Sequence, residues 1–165
     1  MDLTVVEGDI ASQDVDAVVN AANRRMRGGG GVDGAIHAAG GPAVLADCVA
    51  RFPDGLGTGE AGWTTAGNMP AHWVIHVVGP NYSAGERDRS QLVSCYSNAL
   101  AVADLLGAVS VAFPLVSAGV YGWPRDDAIR AAVDTLRSAS TSVRSARLVA
   151  FGRSTYDGIS AALTL

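Results

Sequence analysis

The stretch from Val15 to Gly34 restricts what this chain can fold into more than any other. It runs Val15-Asp-Ala-Val-Val19, then Asn20-Ala-Ala-Asn23, then four consecutive glycines, Gly28–Gly31, then Val32-Asp33-Gly34. A strand-length apolar run ends in polar residues, and a helix-like pattern begins directly after the glycines. Ordering four adjacent glycines is costly, because glycine loses the most backbone freedom on folding. Such a segment makes sense where backbone N–H groups must approach a ligand closely. At a strand-to-helix junction that ligand is most simply a phosphate, which the helix N-terminus also attracts. A flexible surface loop is the bland alternative, and the flanking Asn20, Asn23 and Asp33 weigh against it.

A chain of 165 residues with 48% hydrophobic residues is long enough to bury one substantial core, so a single domain over 1–165 is expected. No apolar run approaches the roughly 20 residues needed to cross a bilayer. The start, Met1-Asp-Leu-Thr-Val-Val-Glu7, alternates like a strand and lacks the basic and apolar regions of a signal peptide. Cys48 and Cys95 lie far apart without metal-ligand or Cys-x-x-Cys spacing, which suits free thiols in the cytoplasm. A net charge of −4 argues against nucleic acid as the main partner. All 12 basic residues are arginine. The absence of lysine removes a Walker-type phosphate lysine, Schiff-base chemistry and a Ser-Lys dyad. A phosphate must here be held by backbone amides, hydroxyls or arginine.

Along the chain, apolar strand-length runs alternate with helical patterns. Strands are predicted at Leu3–Glu7, Ala17–Ala21, Gly62–Ala66, Trp73–Val78, Val109–Leu115 and Arg147–Phe151. Helices are predicted at Val32–Ala39, Ala43–Arg51, Arg89–Leu106, Arg125–Ser138 and Thr155–Leu163, with one short turn at Ile10–Ser12. Phe52–Glu60 and Asn81–Asp88 read as loops. The alternation favours a three-layer α/β/α domain with a mostly parallel sheet. In such folds ligands sit at the carboxyl ends of the strands. Two Gly-bearing loops leave such ends, Asn20–Asp33 and Val116-Ser-Ala-Gly-Val-Tyr-Gly-Trp-Pro124. If their strands run parallel, the loops face each other across one cleft, and Pro124 opens the next helix.

Several tempting motifs fail. G-x-G-x-x-G occurs twice, at Gly29, Gly31, Gly34 and at Gly57, Gly59, Gly62. The acid required roughly 20 residues on falls at Asp54, in a turn rather than at a strand end. Ser117 follows a strand, but Leu115 stands where a nucleophile elbow needs glycine. His37, His72 and His76 lack zinc-ligand spacing. His76, inside an apolar strand, reads as a satisfied structural histidine. His37 lies one helical turn after Asp33, so the two either interact or His37 simply packs on the sheet.

Taken together, these residues resemble the macrodomain family, and within it the MacroD-type ADP-ribosyl hydrolases. The matching pieces are Gly8-Asp9-Ile10; Asn20-Ala-Ala-Asn23; Gly28-Gly-Gly-Gly-Val-Asp-Gly-Ala-Ile-His37; Thr58-Gly-Glu-Ala61; Val74-Ile-His-Val-Val-Gly-Pro80; and Pro114-Leu-Val-Ser-Ala-Gly-Val-Tyr-Gly-Trp-Pro124. They occur in family order, and the Asn-to-His piece is very specific. Ala11, Met26 and Ala118 depart mildly, standing where Thr, Leu and Thr are usual.

The resemblance implies a mixed, mostly parallel six-stranded sheet between helices, with an ADP-ribose cleft. It implies that Asp9 accepts from the adenine amino group and Ile10 contacts the ring, although Asp9 otherwise reads as a helix N-cap. Asn23 would bind the distal ribose, with Asn20 supporting the loop as a further ligand-binding residue. Gly30, Gly31 and Val32, with Ser117, Ala118, Gly119 and Val120, would enclose the diphosphate. Tyr121 would pack on the distal ribose, or else seal the core. Phe151 would stack on adenine, or else belong to the core.

The implied reaction removes mono-ADP-ribose from Glu or Asp side chains of proteins, with O-acetyl-ADP-ribose as a further ester substrate. Asp33 would orient the attacking water, Asn23 and Tyr121 would position the ribose, and neither metal nor cofactor is needed. The partners implied are ADP-ribose and mono-ADP-ribosylated proteins. Composition excludes the lysine-dependent macrodomain mechanism. A non-catalytic ADP-ribose reader is the alternative; Asp33 within an intact motif favours the hydrolase.

Overall fold

The computed structural model describes residues 1–165. Six strands, β1 (Asp2–Glu7), β2 (Ala17–Ala22), β3 (Ala61–Thr65), β4 (Trp73–Val78), β5 (Ser110–Phe113) and β6 (Ser145–Ala150), form one sheet in the order β1-β6-β5-β2-β4-β3. Neighbours run parallel except β3, which lies antiparallel on β4 at one edge. This is the mixed, mostly parallel six-stranded sheet expected. Five α-helices cover its two faces: α1 (Gly31–Gly40), α2 (Pro42–Arg51), α3 (Arg89–Leu106), α4 (Arg125–Ser138) and α5 (Arg153–Leu163). No helix is long and apolar enough to cross a membrane.

The residue alternation of the central strands decides what each face holds. Ala17 and Val19 of β2, with Ile75 and Val77 of β4, join the core under α3, α4 and α5. Val18 and Val74 point the other way, into the smaller core with Ile36 of α1 and Val44 and Cys48 of α2. By the same alternation Asn20 and His76, which lie opposite one another across β2 and β4, face the α1 and α2 side.

The boundaries correct the sequence reading in detail. β5 stops at Phe113 instead of reaching Leu115, since Pro114 has no N–H to continue the ladder. β6 starts at Ser145, two residues early, because Asp2 of β1 already pairs there, and it ends at Ala150, one residue before Phe151. α5 begins at Arg153, two residues before the expected start. Pro124 is the N-cap of α4, outside the helix, with its carbonyl accepting from the Ala128 amide at 2.9 Å. A short 3₁₀ turn, Tyr82–Ala84, lies within the stretch read as loop.

Candidate functional site

β2 and β5 are parallel neighbours, with Ala17 opposite Val111 and Val18 opposite Ala112. The loops leaving their carboxyl ends therefore emerge side by side, and a cleft opens between them. Its inner part is a cavity of about 330 Å³ lined by Asn23, Gly29–Asp33, Gly79, Ser117 and Tyr121, among others. The outer part, about 850 Å³, runs past Gly31, Val32, Gly119 and Val120 to Asp9, Ile10, Arg125 and Phe151.

The walls between the two parts are backbone. Gly30 is the N-cap of α1 and offers no side-chain cap, so the first-turn amides of Gly31, Val32 and Asp33 have no partner inside the helix. Facing them, the amides of Ser117, Gly119, Val120 and Tyr121 donate to no backbone carbonyl. Two sets of unspent N–H groups and one helix N-terminus make an anion site that needs no lysine.

The second loop is held from below. The hydroxyl of Tyr96, a fully buried residue of α3, accepts from the Val116 amide at 3.0 Å and donates to the Pro114 carbonyl at 3.4 Å. Burial drives its ionisation far above the usual phenol range, so it acts as a fixed hydrogen-bonding post. The Tyr121 carbonyl accepts from the Ser83 amide of the 3₁₀ turn at 2.9 Å. Ser117 has φ +64°, strained for a residue other than glycine, and its buried hydroxyl has no protein partner. That hydroxyl fits only because Gly79 lacks a Cβ, which would lie 2.2 Å from Ser117 Oγ.

Asp33 is 5% exposed, and its two oxygens differ. Oδ1 accepts from Asn20 Nδ2 at 2.7 Å and lies 3.4 Å from His37 Nε2. Oδ2 points into the inner cavity: a Cβ built on Gly29 would lie 3.1 Å from it and 3.3 Å from Asn23 Nδ2. Asn23 folds its own loop, its amide donating to the Gly28 carbonyl at 3.2 Å and accepting from the Arg25 amide at 3.1 Å. Asp33 and His37 thus meet, and Asp33 caps nothing. Outside the cavity lining, Glu86 accepts from the Asn81 amide and pairs with Arg24 at 2.9 Å, which holds its carboxyl below the usual range. Burial, and then Glu86, push the Tyr121 phenol upward.

Asp9, Ile10, Gly30, Gly31, Val32, Ser117, Ala118, Gly119, Val120, Tyr121 and Phe151 all line the cleft together with Asn23 and Asp33. Asp9 is also the N-cap of Ile10–Ser12, accepting from the Ala11 amide at 2.9 Å, so both readings of it hold geometrically. Phe151 is 95% exposed at the cleft rim, which removes the core alternative. Asn20 is the exception: it is fully buried behind Asp33 and does not line the cavity, because β2 carries it one residue pair too deep. Tyr96 and Gly79 were missed. Tyr96 sits on a helix remote in sequence, and no local pattern marks its contact with Val116.

A family model described as Macro domain matches residues 19–132. A macro domain-containing protein of Streptomyces coelicolor is 52% identical, covering 98% of each chain. A Pantoea vagans protein named O-acetyl-ADP-ribose deacetylase 1 is 41% identical over 94% of each. Among solved structures, a glycine-to-valine variant of the Oceanobacillus iheyensis macrodomain with ADPR superposes with a TM-score of 0.91 at 34% identity, covering 98% of this chain and 91% of that one.

Proposed function

The chain belongs to the macrodomain family, and on that premise we propose that it binds ADP-ribose and hydrolyses esters of its distal ribose. The substrates are mono-ADP-ribose on Glu or Asp side chains of proteins and O-acetyl-ADP-ribose. The observation that carries this reading is the asymmetry of Asp33, with one oxygen tethered by Asn20 and the other free in the cavity beside Asn23. A carboxylate used only for packing would have no reason to present an unpartnered oxygen to the cavity there.

In this reading adenine lies on Ile10 with its amino group at Asp9, and Phe151 closes over it. The amides of the two loops hold the diphosphate, and the distal ribose enters the inner cavity against Asn23 and Tyr121. Asp33 Oδ2 accepts a proton from water, whose oxygen bonds to the anomeric carbon as the bond to the Glu or Asp carboxylate breaks. The carboxylate leaves with its electron pair, and Asp33 stabilises the positive charge that develops. With an acetyl ester at the anomeric position the same step applies: the anomeric carbon–oxygen bond breaks and acetate leaves with its electron pair.

The leaving group sets the test. A carboxylate departs readily, whereas a serine alkoxide or an arginine nitrogen is a far poorer leaving group. Turnover is expected on Glu-linked and acetylated ADP-ribose, with Ser-linked substrate slower by about 10²-fold or more. Tight ADP-ribose binding without turnover of either ester would make the protein a reader. Equal rates on Ser- and Glu-linked substrates would remove this mechanism.

A further inference from the structure

Behind Asp33 a line of buried polar groups runs away from the cavity, across the sheet. Asn20 Nδ2 lies 2.7 Å from Asp33 Oδ1 and 3.0 Å from His76 Nδ1, and His76 Nε2 lies 2.8 Å from Thr64 Oγ1. Asn20, His76 and Thr64 are all 0% exposed. Neither His76 nor Thr64 lines the cleft. The direction of every hydrogen bond in the line is fixed by its two ends. Thr64 donates its own hydroxyl to the Thr65 carbonyl at 3.0 Å, so toward His76 it accepts, and Nε2 carries the ring hydrogen. Nδ1 is then an acceptor. At the other end a carboxylate oxygen accepts only. The Asn20 amide therefore turns its NH₂ toward both, one hydrogen to Asp33 and one to His76. Its own oxygen is left buried without a protein partner. An amide sacrifices its carbonyl in this way only when two acceptors demand its nitrogen.

We propose that His76 is a positioning residue for the hydrolysis proposed above: as the Nε2–H tautomer set by Thr64, it orients the Asn20 amide, which in turn aims the Asp33 carboxylate. The inference rests on that functional reading but concerns groups that touch no ligand. The surroundings of His76 agree with it. Burial, and then His37, whose ring centre is 6.5 Å away, hold His76 down to about 3 against the opposite pull of Asp47. Cys48 Sγ, 3.8 Å from Nε2, is its remaining polar neighbour. A ring bearing both hydrogens, or only Nδ1–H, would present a hydrogen to the Asn20 NH₂. The amide would then rotate and set its oxygen against Asp33 Oδ1, pushing the carboxylate out of line.

The test uses Thr64→Val, His76→Gln and His76→Asn in the full chain. Thr64→Val keeps the side-chain shape and removes the hydroxyl that accepts from Nε2 and donates to the Thr65 carbonyl. His76→Gln removes the acceptor at the Nδ1 position, and His76→Asn retains one there. Thr64→Val and His76→Gln should lower kcat on Glu-linked ADP-ribose by about tenfold or more. ADP-ribose Kd should stay within about twofold, the signature of a contact that matters in the transition state. His76→Asn should recover much of kcat. Nitrogen-15 NMR should show wild-type His76 as Nε2–H, and the Asn20 NH₂ and Asp33 carboxyl resonances should shift in Thr64→Val. An Nδ1–H wild-type ring, or a folded Thr64→Val with unchanged kcat, overturns the proposal. Should the wild type bind ADP-ribose but turn over no ester, the hydrolase reading falls. The positioning claim is then decided by the resonances alone, and unshifted Asn20 and Asp33 signals in Thr64→Val overturn it.

Discussion

Asp33 Oδ1 has a donor from Asn20, while Oδ2 faces the cavity. Asp33→Asn separates these two jobs. The new amide can turn its oxygen to Asn20 and keep the tether, while its NH₂ occupies the place of Oδ2 and can no longer take a proton from water. Turnover should fall by about 10²-fold or more, with ADP-ribose affinity little changed. Parallel kinetics and calorimetry check this; an Asn variant near the wild-type rate would leave Asp33 a merely structural group. Asn23 and Asp33 were legible beside the glycine run as a local pattern, while the roles given to Asn23, Asp33 and Tyr121 came from the family resemblance. The sequence reading misjudged Asn20, whose role depends on the strand register that sets it opposite His76, and it read His76 only as a buried structural histidine. Register is a long-range property, set by how β2 and β4 align, and no window of sequence contains it.

Loops and strands behave differently in this respect. The six strands and five helices were legible to within a few residues, since apolar runs and their breaks dictate burial. Strand ends were not, because they depend on partners: β6 begins where β1 is there to receive it. The second loop was visible as Gly-rich, but its anchoring by Tyr96 was not. Gly119 tests that loop cleanly. A Cβ there meets no atom within 4 Å, and its φ is not in the left-handed region, so valine fits the fold while projecting into the cleft. Gly119→Val should weaken ADP-ribose more than tenfold, an effect of roughly 1.4 kcal/mol, and leave the melting temperature nearly unchanged. Calorimetry with unchanged affinity would take the second loop out of the site.

Over the whole molecule, the buried His76 couples stability to pH. Its folded pKa of about 3 lies below the ordinary 6.5, chiefly because burial penalises the charged ring. The unfolded chain takes up this proton first. The stabilisation is therefore complete above about pH 6.5 and is lost as pH falls toward 3, on the order of 5 kcal/mol across that window. Melting temperature should drop on acidification through this range, and the drop should be shallower in His76→Gln; an equally steep drop in that variant would assign the effect to other groups.

The parallel strands also fix where the start of the chain lies. β1 runs from Asp2 to Glu7 and delivers Gly8 and Asp9 to the cleft rim, so Met1 stands at the far end of the sheet, half-exposed. With no lysine anywhere, no side chain of the 165 residues carries a primary amine. Reagents that acylate lysine therefore leave the cleft and both faces of the sheet unmodified. Asp2→Lys, at an exposed position, would supply the one side-chain amine, and molecules coupled to a sensor surface through it would stand with their clefts turned to the solution.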